Sequence, residues 1–461
     1  MHRYRAMLRL ISLLLWLLLS SSAQGGELLS RELPAGLQVP ADARPGPGFD
    51  VDRATEAYLA LLTPEQTALS EAYFEGGYWL ELWTFVYGAA VCLALLASGA
   101  SARLRDWAAR HSRRLWLQTA LYAAAFIVLY ALLVLPLSLY QDFFREHAYG
   151  LATQTLGEWF GDALKGLLVN VLLGSIAIAG IYTLVRRSKG RWWIKATVFT
   201  SAFLVVVLMI APVFIAPLFN DYEPLPPGEI RDSMLSLARG NGVPADDVYW
   251  FDASRQTTRI SANVSGFGRT TRISLNDNLL EKTSVPEIRA VMGHEIGHYV
   301  LNHSLELVIY LGLLLSAGFW FVNVAMDGLV ARIGSRWGLR QRADPATLPL
   351  ALLLFSTFLF VTTPVSNSII RQTETEADIY GLNAAREPQG FAMAAMRLSA
   401  YRKIKPGRWE EILFYDHPSG YARVRMSMQW LAENQRLYAG QAVAAAAAPA
   451  ARQPRRASLR P

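Results

Sequence analysis

The sequence predicts a membrane-embedded, mostly helical protein that also carries a small polar domain of helices and strands, and three observations predict it. The chain has 461 residues and is 52% hydrophobic, with its apolar residues gathered in several uncharged runs of about twenty, the length that crosses a bilayer as a helix. The loops between these runs alternate between arginine-rich and acidic. A polar stretch after the fourth run contains Gly293-His294-Glu295-Ile296-Gly297-His298, the pattern His-Glu-x-x-His.

Composition also excludes classes. A net charge of +7 does not imply nucleic acid here, because the basic residues sit in short loops between apolar blocks or in the tail, where membrane topology accounts for them. Cys92 is the only cysteine and lies inside an apolar run, so neither an internal disulfide nor a thiolate metal cluster is available. Six lysines against 38 arginines, with an alanine-rich tail, suit a high-GC bacterium.

In chain order, Arg3, Arg5 and Arg9 precede an apolar run over 10–19 and then Ser21-Ser22-Ala23. Residues 1–23 therefore read as a signal peptide or an N-terminal anchor. Residues 24–74 are polar and proline-bearing and read as an exposed N-terminal segment with a helical pattern over 51–72. Spans follow at 79–99, 115–140, 166–185 and 194–214, so 75–219 holds four transmembrane helices. Arg103, Arg105, Arg110, Arg113 and Arg114 fill the first loop; Arg186, Arg187, Lys189, Arg191 and Lys195 fill the third; Asp142, Glu146, Glu158 and Asp162 mark the second. The positive-inside rule makes the first and third loops cytoplasmic.

Residues 220–303 read as the first part of a polar domain: a helix over 229–241, strands near 248–251 and 271–275, then the motif helix, started by Ser284-Val285-Pro286-Glu287 with capping-box spacing and an early proline. Two further spans, 307–330 and 348–365, occupy 304–366 around a loop with Arg332, Arg336, Arg340 and Arg342. Residues 367–440 are the second part of the domain, and 441–461 read as a disordered tail. Counting crossings places the polar domain on the non-cytoplasmic side.

On a helix, residues four apart share a face, so His294 and His298 can offer two imidazoles to one Zn2+ while Glu295 stands beside its open position. A catalytic zinc takes three protein ligands. His303 lacks the spacing of an extended histidine motif and reads as a helix-end or interface residue. Arg371, Glu374 and Asp378 share a helical face just after the last span, and Glu374 is the candidate ligand; the competing reading of this stretch is a solvated charged face.

His294-Glu295-x-x-His298 together with Arg371-x-x-Glu374-x-x-Ala377-Asp378 resembles the type I CAAX prenyl endopeptidases, a family of membrane-embedded zinc metallopeptidases. The similarity extends to Glu146-His147, Gly150 and Gln154-Thr155-Leu156-Gly157, to 215–220, to Gly266-Phe267-Gly268, and to His417-Pro418 with Arg423. It implies an all-α-dominated integral membrane protein in which a bundle or barrel of six or seven transmembrane helices encloses a chamber, with a small α+β zincin-like metallopeptidase domain. It further implies one Zn2+ on His294, His298 and Glu374, Glu295 as base, Asp378 bracing a ligand histidine, and His417 and Arg423 near the substrate, His417 polarising the scissile carbonyl or steadying the oxyanion. Where relatives hold substrate on a strand edge with an Asn-Ala pair, this chain has Ser261-Ala262-Asn263-Val264-Ser265, which makes Ala262 and Asn263 the candidate substrate contacts.

The expected activity is zinc-dependent endoproteolysis of membrane-associated proteins or peptides by a monomer in the lipid bilayer, with no nucleic-acid partner. The composition points to a bacterial inner membrane and the charged loops to a periplasmic zinc site, whereas prenylated CAAX substrates are cytoplasmic. The alternatives are a CAAX-box prenyl-protein endopeptidase proper and a non-catalytic chaperone or lipid-handling module with structural zinc. A structural site needs a fourth protein ligand, and no cysteine is available to supply it.

Overall fold

A computed structural model describes residues 33–188, 190–266 and 271–438. The signal or anchor segment at 1–23, residues Phe267 and Gly268 of the glycine-bearing turn, and the tail at 441–461 lie outside the described residues. Among those described, six helices are long and apolar enough to cross a membrane. Four come first: α1 (Pro64–Ala97), α2 (Leu115–Leu139), α3 (Leu156–Arg187) and α4 (Trp192–Ile210). The polar domain contributes α5 (Glu229–Gly240) and α6 (Val285–Val300). The last two long helices are α7 (His303–Ile333) and α8 (Leu348–Ala385), followed by α9 (Pro388–Leu398) and α10 (Gly420–Glu433).

Local chemistry starts these helices where they start. Thr63 with Gln66 and Thr155 with Glu158 form capping boxes at the heads of α1 and α3, satisfying amide groups that have no partner within the helix. Leu164, Leu168, Leu172 and Ile176 recur every fourth residue along α3 and are all exposed. This row of large aliphatic side chains therefore points away from the protein, the arrangement hydrocarbon demands and water disfavours.

The arginine-rich connections meet at one end of the bundle. Arg105 Nη1 donates to Asp344 Oδ2 at 2.6 Å and to the Gly338 carbonyl at 2.8 Å, and Arg340 Nη2 donates to Asp106 Oδ1 at 3.2 Å. α7 runs toward that end from His303, and α8 runs away from it toward Glu374. The His-Glu-x-x-His motif thus occupies the opposite end.

At 38 residues, α8 is about 57 Å long, against roughly 30 Å of hydrocarbon. It crosses the membrane and continues without a break past Asn367, where the sequence suggests a domain boundary. A break does occur between α6 and α7, at Leu301-Asn302. Asn302 adopts φ 57°, a left-handed conformation that asparagine tolerates better than most residues.

The small sheet has strand order β1-β2-β4-β3. β1 (Tyr222–Pro224) pairs antiparallel with β2 (Val248–Phe251), β2 lies parallel to β4 (Arg272–Asn276), and β3 (Ala262–Ser265) pairs antiparallel with β4, leaving β3 on an edge. Val248, Ile273 and Leu275 of the sheet are buried with Met234 of α5 and with Ile288, Met292 and Ile296 of α6. This core fixes the motif helix against the sheet. β1, three residues long, carries no strand pattern of its own and is defined by its pairing with β2, whereas β3 falls where the resemblance implies a strand edge.

The segment read as exposed, 24–74, differs in the structure. Ala43, Ala54 and Tyr58 are fully buried and cluster with Met393, Met396, Val424 and Met428 of α9 and α10. Residues from Pro64 onward are already α1. The helical pattern over 51–72 is two helices, Val51–Leu59 and the head of α1, and the apolar stripe of the first finds its partner more than three hundred residues away.

Candidate metal centre

α6 begins at Ser284, whose amide donates to Glu287 Oε2 at 2.7 Å, and the helical period then sets His294 and His298 on one face. Small residues bring the second element to them. A Cβ on Gly293 would lie 2.9 Å from the Gly381 carbonyl oxygen, and one on Gly297 would lie 3.1 Å from Ala377 Cα. With Gly293 and Gly297 facing Ala377 and Gly381, the backbones of α6 and α8 approach as they could not with larger side chains. Glu374, one turn before Ala377, is thereby set against both histidines.

The donor atoms converge. His294 Nε2 and His298 Nε2 are 3.1 Å apart; Glu374 Oε2 is 3.4 Å from His294 Nε2 and Glu374 Oε1 is 3.4 Å from His298 Nε2. Bonds of about 2.0–2.1 Å to a tetrahedral zinc put neighbouring donors about 3.3 Å apart, so this triangle has the edge length such an ion requires. His294, His298 and Glu374 together can hold a metal ion. Two imidazole nitrogens and a carboxylate are also a donor set that suits zinc.

Hydrogen bonds from behind hold the set. His294 Nδ1 donates to Asp378 Oδ1 at 2.7 Å, and Arg423 on α10 donates from Nε to Asp378 Oδ2 at 2.8 Å and from Nη2 to Glu374 Oε2 at 3.1 Å. Asp378 is wholly buried and Arg423 nearly so. Arg423 therefore ties two carboxylates of α8 together, in addition to lining the cavity. Burial pulls His294 toward its neutral form, but hydrogen bonds with Asp378 and Glu374 outweigh it and raise its pKa to about 10. A metal competes with that proton. Glu295 keeps part of its surface in the cavity, and desolvation raises its carboxyl above the ordinary value, with the neighbouring His294 and His298 opposing.

The cavity over these groups measures about 380 Å³ and is lined by Ser261, Ala262, His294, Glu295, His298, Glu374, Asp378, Tyr401, Arg402, His417 and Arg423, among others. A larger cavity of about 730 Å³ shares Ile260, Ser261, Tyr401 and Arg402 with it and extends to Tyr73, Tyr78 and Arg145. His417 Nε2 stands 3.3 Å from Glu374 Oε2, while its Nδ1 donates to Asp416 Oδ1 at 2.7 Å.

Not every candidate residue meets the cavity. Arg371 shares the helical face of Glu374, yet its Nη1 donates to the backbone carbonyls of Glu411 at 2.8 Å and Tyr415; it anchors the turn that carries His417. Ala262 lines the cavity and Asn263 does not, because successive strand residues face opposite ways. The segment containing Gly150 and Gln154 joins the approach to β3: the Thr258 amide donates to the Leu151 carbonyl at 3.1 Å and the Thr153 amide to the Gln256 carbonyl at 3.2 Å. Tyr401 and Arg402 escaped sequence reasoning because nothing local marks them. The small-x-x-x-small spacings Gly293/Gly297 and Ala377/Gly381 were a legible signal.

Comparisons with known proteins agree on the kind of molecule this is. Residues 52–221 match the description "CAAX prenyl protease N-terminal, five membrane helices", and residues 224–430 match "Peptidase family M48". The chain is 32% identical over 338 residues to the uncharacterized metalloprotease YhfN of Bacillus subtilis (strain 168), covering 72% of this chain and 78% of that protein. It is 28% identical to the CAAX prenyl protease 1 homolog of Oryza sativa subsp. japonica over 66% of this chain and 71% of the relative. CAAX prenyl protease 1 of Saccharomyces cerevisiae is 34% identical over 38% of this chain and 39% of its own length. The crystal structure of S. mikatae Ste24p superposes with a TM-score of 0.66 at 24% identity, covering 80% of this chain and 89% of that one, a likeness of fold.

Proposed function

Since the chain belongs to peptidase family M48 and is a membrane metalloprotease, we propose that its metal is one Zn2+ held by His294, His298 and Glu374, and that Glu295 is the general base of peptide-bond hydrolysis. The observation that carries this reading is the triangle of two imidazole nitrogens and a carboxylate, 3.1–3.4 Å on a side, with Glu295 on the same cavity wall. When bound, zinc supplies a Lewis acid that polarises a carbonyl and makes a water acidic near neutral pH.

The chain's own residues do the rest. The edge of β3 at Ala262, with Ser261 just before the strand, lies along the cavity, where an extended peptide can add as a further strand. Glu295 takes a proton from the attacking water as the new C–O bond forms, then gives it to the leaving nitrogen as the C–N bond breaks. His417, oriented by Asp416, donates from Nε2 in its protonated form to the oxyanion. Arg402 faces both cavities with Asp416 and Glu374 as the acidic groups nearest its charge, and offers a cationic contact for substrate. Asp378 and Arg423 hold the ligands in place.

The site test is Glu295→Gln. The variant is expected to retain one zinc per chain while cleavage of a reporter peptide falls at least about 100-fold, the usual minimum for a lost general base; near-parental cleavage in a zinc-replete preparation sinks the assignment.

The gathering of the arginine loops at the end of the bundle away from the motif, read with the positive-inside rule, supports a zinc site on the periplasmic face of a bacterial inner membrane. The substrates are then membrane-associated proteins or peptides, met by a monomer in the bilayer without nucleic acid. A second reading, a CAAX-box prenyl-protein endopeptidase, is favoured by the names of the rice and yeast relatives. Reporters active on only one side of the membrane, fused after Ala442, separate the two: cytoplasmic activity restores the prenyl-substrate reading and removes the periplasmic one.

A further inference from the structure

His298 and His303 face each other through their Nδ1 atoms at 2.9 Å. On an unbroken helix a residue five positions on is rotated by about 140°, so this contact exists only because Asn302, at φ 57°, ends α6 and turns the chain back. His303 is 1% exposed, far too buried for an incidental helix-end residue.

Two facing ring nitrogens share one proton. A neutral imidazole has one N–H and one lone pair; if His298 gives the lone pair of Nε2 to zinc, its N–H is at Nδ1. His303 Nδ1 must then accept, which puts the proton of His303 on Nε2. Among the described residues that nitrogen is buried without a hydrogen-bond partner of ordinary geometry, and Glu376 Oε2 lies 3.4 Å away.

We propose that His303 is a positioning residue: its Nδ1 accepts from His298 and fixes the tautomer that turns Nε2 toward the metal, while Glu376 receives the Nε2 proton of His303. This rests on the ligand set proposed above and gives His298 the brace that Asp378 gives His294. Ligand histidines characteristically need such an acceptor. His303, Glu306 and Glu376 also lie close enough together to hold a cation. The same tautomer argues against a second ion there, since His303 Nε2 then has no lone pair to offer.

The test is the zinc dissociation constant of the full chain in detergent, by chelator competition. His303→Leu is expected to weaken zinc about 10–100-fold, the usual cost of removing such a brace. His303→Asn is expected to recover most of that loss, because its amide oxygen takes the place of Nδ1 as acceptor. Glu376→Leu, at a half-exposed position where folding is not at stake, is expected to weaken zinc in the same direction by a smaller factor. The cobalt-substituted chain should shift its visible bands in His303→Leu and regain them in His303→Asn. The proposal is overturned if His303→Leu binds zinc as tightly as the parent, if Asn is no better than Leu, or if a second zinc per chain is found that His303→Leu removes. His298→Ala separates the two levels: if it too leaves zinc binding unchanged, the ligand set itself has failed; if it abolishes binding while His303→Leu has no effect, only the relay has.

Discussion

Gly381 of α8 lies so close to His294 of α6 that a Cβ on it would stand 2.7 Å from the His294 amide nitrogen. A proposed ligand of the metal is thus positioned by the absence of a side chain on a neighbouring helix, and Glu374, seven residues before Gly381, depends on the same contact for its approach.

Gly381→Ala should therefore lower zinc affinity and Tm together. On an open helix face the same change stabilises by about 1 kcal/mol, so a loss in either measurement reports the helix contact. Zinc content after dialysis and a thermal melt check it; a stabilised variant with full zinc would show that the backbones need not be this close.

Asp378→Asn keeps the size of the side chain but removes the carboxylate shared by His294 and Arg423. Zinc affinity is expected to fall about 10–100-fold, with activity recovered at high zinc concentration. If affinity is unchanged, His294 is oriented by something other than Asp378.

Zinc binding should strengthen with alkali. In the metal-free chain His294 is raised from 6.5 to about 10, so the proton it gains on folding contributes stability in full below pH 6.5 and is lost as pH rises through about 10. Zinc must displace that proton, so its apparent association constant should climb about tenfold per pH unit across this window. Calorimetry in buffers of different ionisation enthalpy should show about one proton released per zinc from this ring.

Glu287 and Arg397 form a buried ion pair at 0% and 9% exposure. Arg397 also donates to the carbonyls of Leu33, Pro34 and Gly36, joining α6, α9 and the N-terminal segment. Arg397→Ala leaves a buried carboxylate unpaired and is expected to cost about 3–5 kcal/mol. Limited proteolysis should then cut near residue 36 faster than in the parent, and equal cutting rates would refute the tie.

Much of this protein is legible from the chain alone because its signals are local. A bilayer requires long apolar helices wherever it is crossed, so the spans are visible as composition. The period of a helix places His294 with His298, and Arg371, Glu374 and Asp378 with one another, before any fold is known. What only the tertiary structure decided depends on distant segments meeting. Helical spacing offered Arg371 and Glu374 equally to the site, and packing sent Arg371 to the backbone beneath His417. The polar segment before α1 became core because α9 and α10 present it with apolar partners. His303, set aside by its spacing, returned to His298 through one left-handed residue at 302. Spacing along a helix states which side chains can face the same way, whereas the close approach of α6 and α8, permitted by Gly293, Gly297 and Gly381, decides which of them meet.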